Sequence, residues 1–127
     1  MVAGSILIIE DEPRLRNNLQ ILLTRAGYVV TTVANGSSGL QCLQQHSFDL
    51  IITDLVMDGL DGFALVECIA AQVPETPIIV MTGYASTASA AEALRKGARD
   101  YIAKPFSIES LKDAIARALE NVQIQQE

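Results

Sequence analysis

The chain has no tryptophan, three phenylalanines, three tyrosines, two cysteines and a single histidine in 127 residues. So few aromatics leave the core to aliphatic side chains, and half of the residues are apolar. Cys42 and Cys68 stand far apart in helix-like segments, which excludes a redox or metal-binding CxxC pair and reads as two small buried hydrophobes. His46 falls between a helix-like and a strand-like segment, a loop position with no catalytic partner. No apolar run approaches the length of a membrane span, and no charged-then-apolar leader opens the sequence. The expectation is a soluble, cytoplasmic protein. Lys and Arg are scattered, and the net charge of −6 argues against nucleic acid or a membrane as a direct partner. There is no internal repeat and no low-complexity stretch.

What is present is an alternation of strand and helix, five times over, within a length that suits one domain needing neither disulfide nor structural metal. Ser5–Ile9 is a continuous apolar run, as a parallel strand covered on both faces requires. Pro13 suits the first turn of a helix that carries Leu15, Leu19, Leu22, Leu23 and Ala26 and stops at Gly27. Tyr28–Val33 is the second strand. A loop at Asn35–Gly36 leads into a short helix with Leu40 and Leu43. Phe48–Thr53 is the third strand, followed by a loop from Leu55 to Leu60 and a helix opening at Asp61–Gly62. Ile78–Met81 is the fourth strand. The helix from about Ser86 to Lys96 is Ala-rich, with Leu94 as its one large apolar anchor, and is therefore expected to dock weakly. Tyr101–Ala103 is the last strand, and a final helix starts from Ser107 as N-cap, with Ile108, Leu111, Ile115, Ala118, Leu119 and Val122 on its buried face. The domain is expected to span 1–122, with 123–127 a polar tail or the start of a linker.

Five polar residues stand where these apolar runs end: Glu10, Asp11, Asp54, Thr82 and Lys104. Open α/β sheets bind ligands at the carboxyl edge of their strands. Two carboxylates about 4 Å apart repel by roughly 4 kcal/mol at an effective dielectric near 20, so clustered acids call for a cation. Oxygen-only ligands with room for water suit Mg²⁺. A lysine and a hydroxyl beside them suit a phosphoryl group, with a carboxylate as nucleophile. Taken singly, an acid at a strand end is better read as a helix cap and a lysine before proline as a solvated charge. Five in register are not.

The ordered set of Glu10–Asp11, Asp54 after an apolar strand, Thr82–Gly83, Tyr101 and Lys104–Pro105–Phe106 resembles a response-regulator receiver domain of two-component signalling over nearly the whole chain. The resemblance implies a doubly wound (βα)5, flavodoxin-like fold with a five-stranded parallel sheet of order 2-1-3-4-5. It implies that Asp54 is the phosphoacceptor, taking a phosphoryl group from a sensor histidine kinase or a histidine phosphotransfer protein. It implies Mg²⁺ held by Asp11, Asp54 and the backbone carbonyl of Val56, with Glu10 acting through metal-bound water. Lys104 would pair with phosphoryl oxygens, Thr82 would hydrogen-bond them, and Tyr101 would rotate inward, shifting a two-state population that controls an effector. Covalent chemistry would be confined to Asp54, without turnover on a metabolite.

The stretch 97–106, with Leu111, Ile115 and Arg117–Leu119, most resembles receivers of transcriptional activators of the nitrogen-regulation group, so the expected output is transcriptional. Pro13–Arg16 lies where a kinase helix would dock. Arg95, Lys96, Arg99, Asp100, Lys112 and Arg117 would form a dimer or effector face, which allows a phosphorylation-dependent homodimer. The chain departs from the family pattern in having Asp58 where proline is common and Glu10 at the first acidic position. Val56 and Tyr84 offer no group to orient hydrolytic water, so a long-lived phosphoryl state is expected. Two other readings are a phosphate-independent pseudo-receiver, which the intact Asp54, Thr82 and Lys104 disfavour, and a Mg²⁺-dependent phosphohydrolase. The latter needs an acid two residues past the nucleophile, where this chain has Val56.

Overall fold

The computed structural model describes residues 4–57, 60–83 and 87–126. Five parallel strands, β1 (Gly4–Ile9), β2 (Tyr28–Val33), β3 (Leu50–Asp54), β6 (Ile78–Thr82) and β7 (Asp100–Ala103), form one sheet in the order β2-β1-β3-β6-β7. Counting sheet strands alone, that is 2-1-3-4-5, the doubly wound order expected from the sequence. The helices are α1 (Pro13–Arg25), α2 (Gly36–Gln45), α3 (Gly62–Gln72), α4 (Thr87–Lys96) and α5 (Ile108–Gln126).

Period-2 alternation in the strands splits the core into two layers. Ile6 and Ile8 of β1, with Leu50, Ile52, Ile79 and Met81, face Leu19 and Leu23 of α1 and Leu111, Ala114, Ile115 and Ala118 of α5. Leu7 and Ile9, with Ile51, Ile78 and Val80, face Leu43 of α2, Leu65, Val66 and Ile69 of α3, and Ala93 of α4. A strand buried on both faces has no polar position to spare, which is why Ser5–Ile9 reads as an unbroken apolar run.

Local chemistry sets the helix starts. Asn35 Oδ1 accepts the Ser38 N–H at 2.8 Å and caps α2, and Ser107 Oγ accepts the Ser110 N–H at 3.0 Å and caps α5. Asn35→Ala is expected to cost about 1 kcal/mol, read as a lower urea midpoint at unchanged slope; no change would mean that water replaces the cap.

Several expectations are corrected. The segment after Asp54 is not a plain loop: Val56–Met57 (β4) pairs antiparallel with Leu60–Asp61 (β5), so Asp61 ends a strand and α3 opens at Gly62. The third sheet strand begins at Leu50 rather than Phe48, because Asp49 turns its carboxylate to the Ser5 N–H at 2.8 Å. Cys68 is exposed on α3, and only Cys42 is partly packed against the core. The polar residues Gln123–Gln126 continue α5.

Leu94 is not the anchor of α4. It is 49% exposed, while Ala93 is fully buried. The cause is close approach: a Cβ added at Gly97, where φ is +124°, would lie 2.7 Å from the Ala70 Cβ of α3. Only small side chains fit between these helices, so the alanines of α4 are its packing surface and the leucine is turned outward.

Candidate functional site

The sheet's carboxyl edge gathers the acids. Asp54 is the last residue of β3 and Thr82 the last of β6, while Glu10 and Asp11 follow β1 and Lys104 follows β7. Each strand end delivers its polar residue to the same side because the strands are parallel and in register. Glu10, Asp11 and Asp54 each offer a carboxylate oxygen, and these oxygens all lie within 4.8 Å of one another.

Glu10 is wholly buried, Asp54 nearly so, and Asp11 is exposed. Lys104 Nζ donates to Asp54 Oδ2 at 2.6 Å and to Glu10 Oε1 at 2.8 Å. The other Glu10 oxygen accepts the Glu12 N–H at 3.0 Å, and Arg16 donates to the Glu10 carbonyl at 3.0 Å. Burial pushes the Glu10 carboxyl above its ordinary range, partly offset by Lys104 and the Glu12 N–H. Burial pulls the Lys104 ammonium down, but its bonds to Asp54 and Glu10 outweigh that and leave it raised. Thr82 is completely buried, and its carbonyl accepts the Lys104 N–H at 2.8 Å, which fixes the lysine's backbone to the sheet edge. The peptide bond from Lys104 to Pro105 is cis.

Three carboxylates face one ammonium, so the cluster carries excess negative charge in a partly buried setting. Such a donor set fits a hard divalent cation. Both Glu10 oxygens are already engaged by protein donors, whereas Asp11 is open to solvent, so the two acids are differently placed toward an ion.

Two further residues were not legible in the sequence. Glu12 caps α1 by accepting the Arg14 N–H at 3.2 Å and the Leu15 N–H at 2.7 Å, and those bonds, Leu15's first, lower its pKa. An acid directly before a proline-led helix was the available signal. Arg16 had none, since nothing in its spacing shows that it reaches back to the Glu10 carbonyl. Tyr101 lies on β7, half-buried, with its hydroxyl 2.8 Å from Ser89 Oγ of α4. Val56 opens β4; Asp58, Tyr84 and Ser86 lie outside the described residues. Of the expected face on α4–α5, Lys96 pairs with Glu67, Arg95 with Glu92 and Arg117 with Asp100. No helix among the described residues is long and apolar enough to cross a membrane.

Comparison with known proteins agrees with this geometry. The DNA-binding transcriptional regulator NtrC of Escherichia coli K12 is 34% identical over 127 residues, covering 100% of this chain and 27% of NtrC. The crystal structure of NtrX from Brucella abortus superposes with a TM-score of 0.92 at 31% identity, covering 99% of this chain and 28% of NtrX. A response regulator protein from Burkholderia pseudomallei, crystallised with a phosphorylated aspartic acid, a calcium ion and citrate, superposes with a TM-score of 0.84 at 32% identity. There the match covers 96% of this chain and 72% of that one. The chain spans between 24% and 37% of the length of the first curated relatives it matches. Residues 6–116 match the family of the response regulator receiver domain, and with the sheet order and the acidic edge in agreement, the chain belongs to that family.

Proposed function

We propose that the domain is a phosphorylation switch in which Asp54 takes a phosphoryl group from a phosphohistidine of a sensor kinase or phosphotransfer protein. The observation that carries this is the Asp54 carboxylate, buried at a strand end, within 4.8 Å of two further acids and 2.6 Å from Lys104. Asp54 attacks phosphorus, a P–O bond forms, and the P–N bond breaks with its electron pair leaving on the imidazole, which takes up a proton. Asp11 and Asp54, with the Val56 carbonyl, would hold Mg²⁺, and Glu10 would reach it through water. When bound, the ion neutralises charge on the phosphoryl oxygens. Lys104 is already positioned to supply the second counter-charge once Asp54 gives up its negative oxygen to the acyl-phosphate linkage. Thr82, buried at the end of the adjacent strand, would supply a hydroxyl to the phosphoryl oxygens.

Output would come from an effector, because the relatives are much longer than this chain; their names make transcriptional control the reading of choice. The residues 1–122 would form the receiver and 123–127 the start of a linker. The test is chemical. Incubation with acetyl phosphate and Mg²⁺, then borohydride reduction and peptide mass mapping, is expected to find homoserine at position 54. Label at any other residue, or none, would contradict the assignment.

Lys104 both offsets the acids and competes for them. Lys104→Met is expected to tighten Mg²⁺ binding by about 1–2 kcal/mol, roughly tenfold, because an ammonium next to the Asp54 and Glu10 carboxylates is removed. The same variant lowers the stability of the metal-free fold by leaving Glu10 buried and less compensated. A Mg²⁺ titration followed by thermal unfolding reads both; weaker binding in the variant would overturn this account of the lysine.

A further inference from the structure

Strand register places Tyr101 beside Val80, and Thr82 lies two residues further along β6 on the same face. Both Val80 and Tyr101 pack in the layer covered by α3 and α4. The Tyr101 hydroxyl reaches across to α4 and shares a hydrogen bond of 2.8 Å with Ser89 Oγ. Further along α4, the contacts run to α3 instead. Gly97 approaches Ala70 too closely to admit a Cβ, Lys96 Nζ pairs with Glu67 at 3.2 Å, and Ala93 is fully buried. The helix is thus fixed to α3 by its C-terminal half and joined to β7 near its N-terminal end through the Ser89–Tyr101 bond. In the same arrangement Lys104 is bonded to Asp54 and Glu10.

We infer that Ser89 is a positioning residue that sets the resting bias of the switch, tethering Tyr101 to α4 while Asp54 is unmodified. The inference rests on the phosphoacceptor reading above. A bond present in one state and absent in the other stabilises the first by its net worth, so deleting it shifts the population toward the second. Ser89→Ala removes one hydroxyl and none of the apolar packing, and alanine is the better helix former, so the variant is expected to keep the fold.

The experiment titrates beryllofluoride with Mg²⁺ into the wild-type protein and the Ser89→Ala, Ser89→Thr, Tyr101→Phe and doubly substituted Ser89→Ala/Tyr101→Phe variants. A net hydrogen bond in this range corresponds to a change of about two- to tenfold. Ser89→Ala is therefore expected to bind beryllofluoride about two- to tenfold tighter than wild type, and Ser89→Thr, which keeps the hydroxyl, to match wild type. Tyr101→Phe should tighten binding similarly, and the double variant should gain nothing beyond either single one. In unliganded Ser89→Ala, the NMR signals of the Tyr101 ring should move toward their beryllofluoride-bound positions. Unchanged or weaker binding by Ser89→Ala, additive effects in the double variant, or loss of function in Ser89→Thr would overturn the tether. Absence of any beryllofluoride binding by the wild type would instead overturn the phosphoacceptor reading, and with it the tether that rests on it.

Discussion

Asp54→Asn is expected to abolish phosphoryl uptake while leaving the domain folded. The substitution keeps the size of the side chain and an oxygen that can accept the Lys104 hydrogen bond, now 2.6 Å long. It removes the charge and the nucleophilic oxygen. Lys104 retains Glu10 at 2.8 Å, so no buried ammonium is stranded. One of three mutually repelling carboxylates is gone, a relief of up to roughly 4 kcal/mol at an effective dielectric near 20 before the weakened Lys104 bond is set against it. The expected result is no adduct with a phosphodonor, weaker Mg²⁺ binding, and a melting midpoint no lower than wild type. An adduct that persists at full stoichiometry would place the nucleophile elsewhere.

Gly62→Ala is the most damaging small substitution that the structure identifies. A Cβ there would lie 2.1 Å from the Leu55 carbonyl oxygen, 2.4 Å from its Cα and 2.5 Å from its carbonyl carbon. These are backbone atoms and cannot rotate aside. Overpacking of this kind costs about 1–3 kcal/mol or more, and Leu55 lies between Asp54 and Val56, so the displacement reaches the site directly. Gly39 is the internal control. A Cβ on it would meet the Ile9 side-chain end at 2.6 Å, which can give way, and alanine within a helix recovers up to about 1 kcal/mol over glycine. In urea unfolding, Gly62→Ala should fall well below both wild type and Gly39→Ala, and it should bind Mg²⁺ more weakly. Equal midpoints for the two variants would contradict the proposed rigidity between α3 and the segment after β3.

The sheet and the acidic edge were legible because they obey simple rules. A strand buried on both faces has only one permitted composition, and parallel strands put their C-terminal residues on one edge, so Glu10, Asp11, Asp54, Thr82 and Lys104 converge once the strands are recognised. What escaped was decided by neighbours distant in the chain. Leu94 looks like an anchor by hydrophobicity, yet the closeness of α3 and α4 reserves that interface for Ala93 and Gly97. Residue type alone puts Cys68 in the interior, yet it is exposed on α3. The β4–β5 pairing is too short to show a periodicity. The Ser89–Tyr101 bond joins residues on two elements whose side chains carry no local signal of each other.

We propose that this acidic edge takes a phosphoryl group with a divalent ion. Intact mass of the domain after incubation with acetyl phosphate, with Mg²⁺ and with Mg²⁺ removed by a chelator, tests it most directly. The account predicts a single phosphoryl adduct in the first sample and none in the second. Equal labelling in both samples, or none in either, would contradict it.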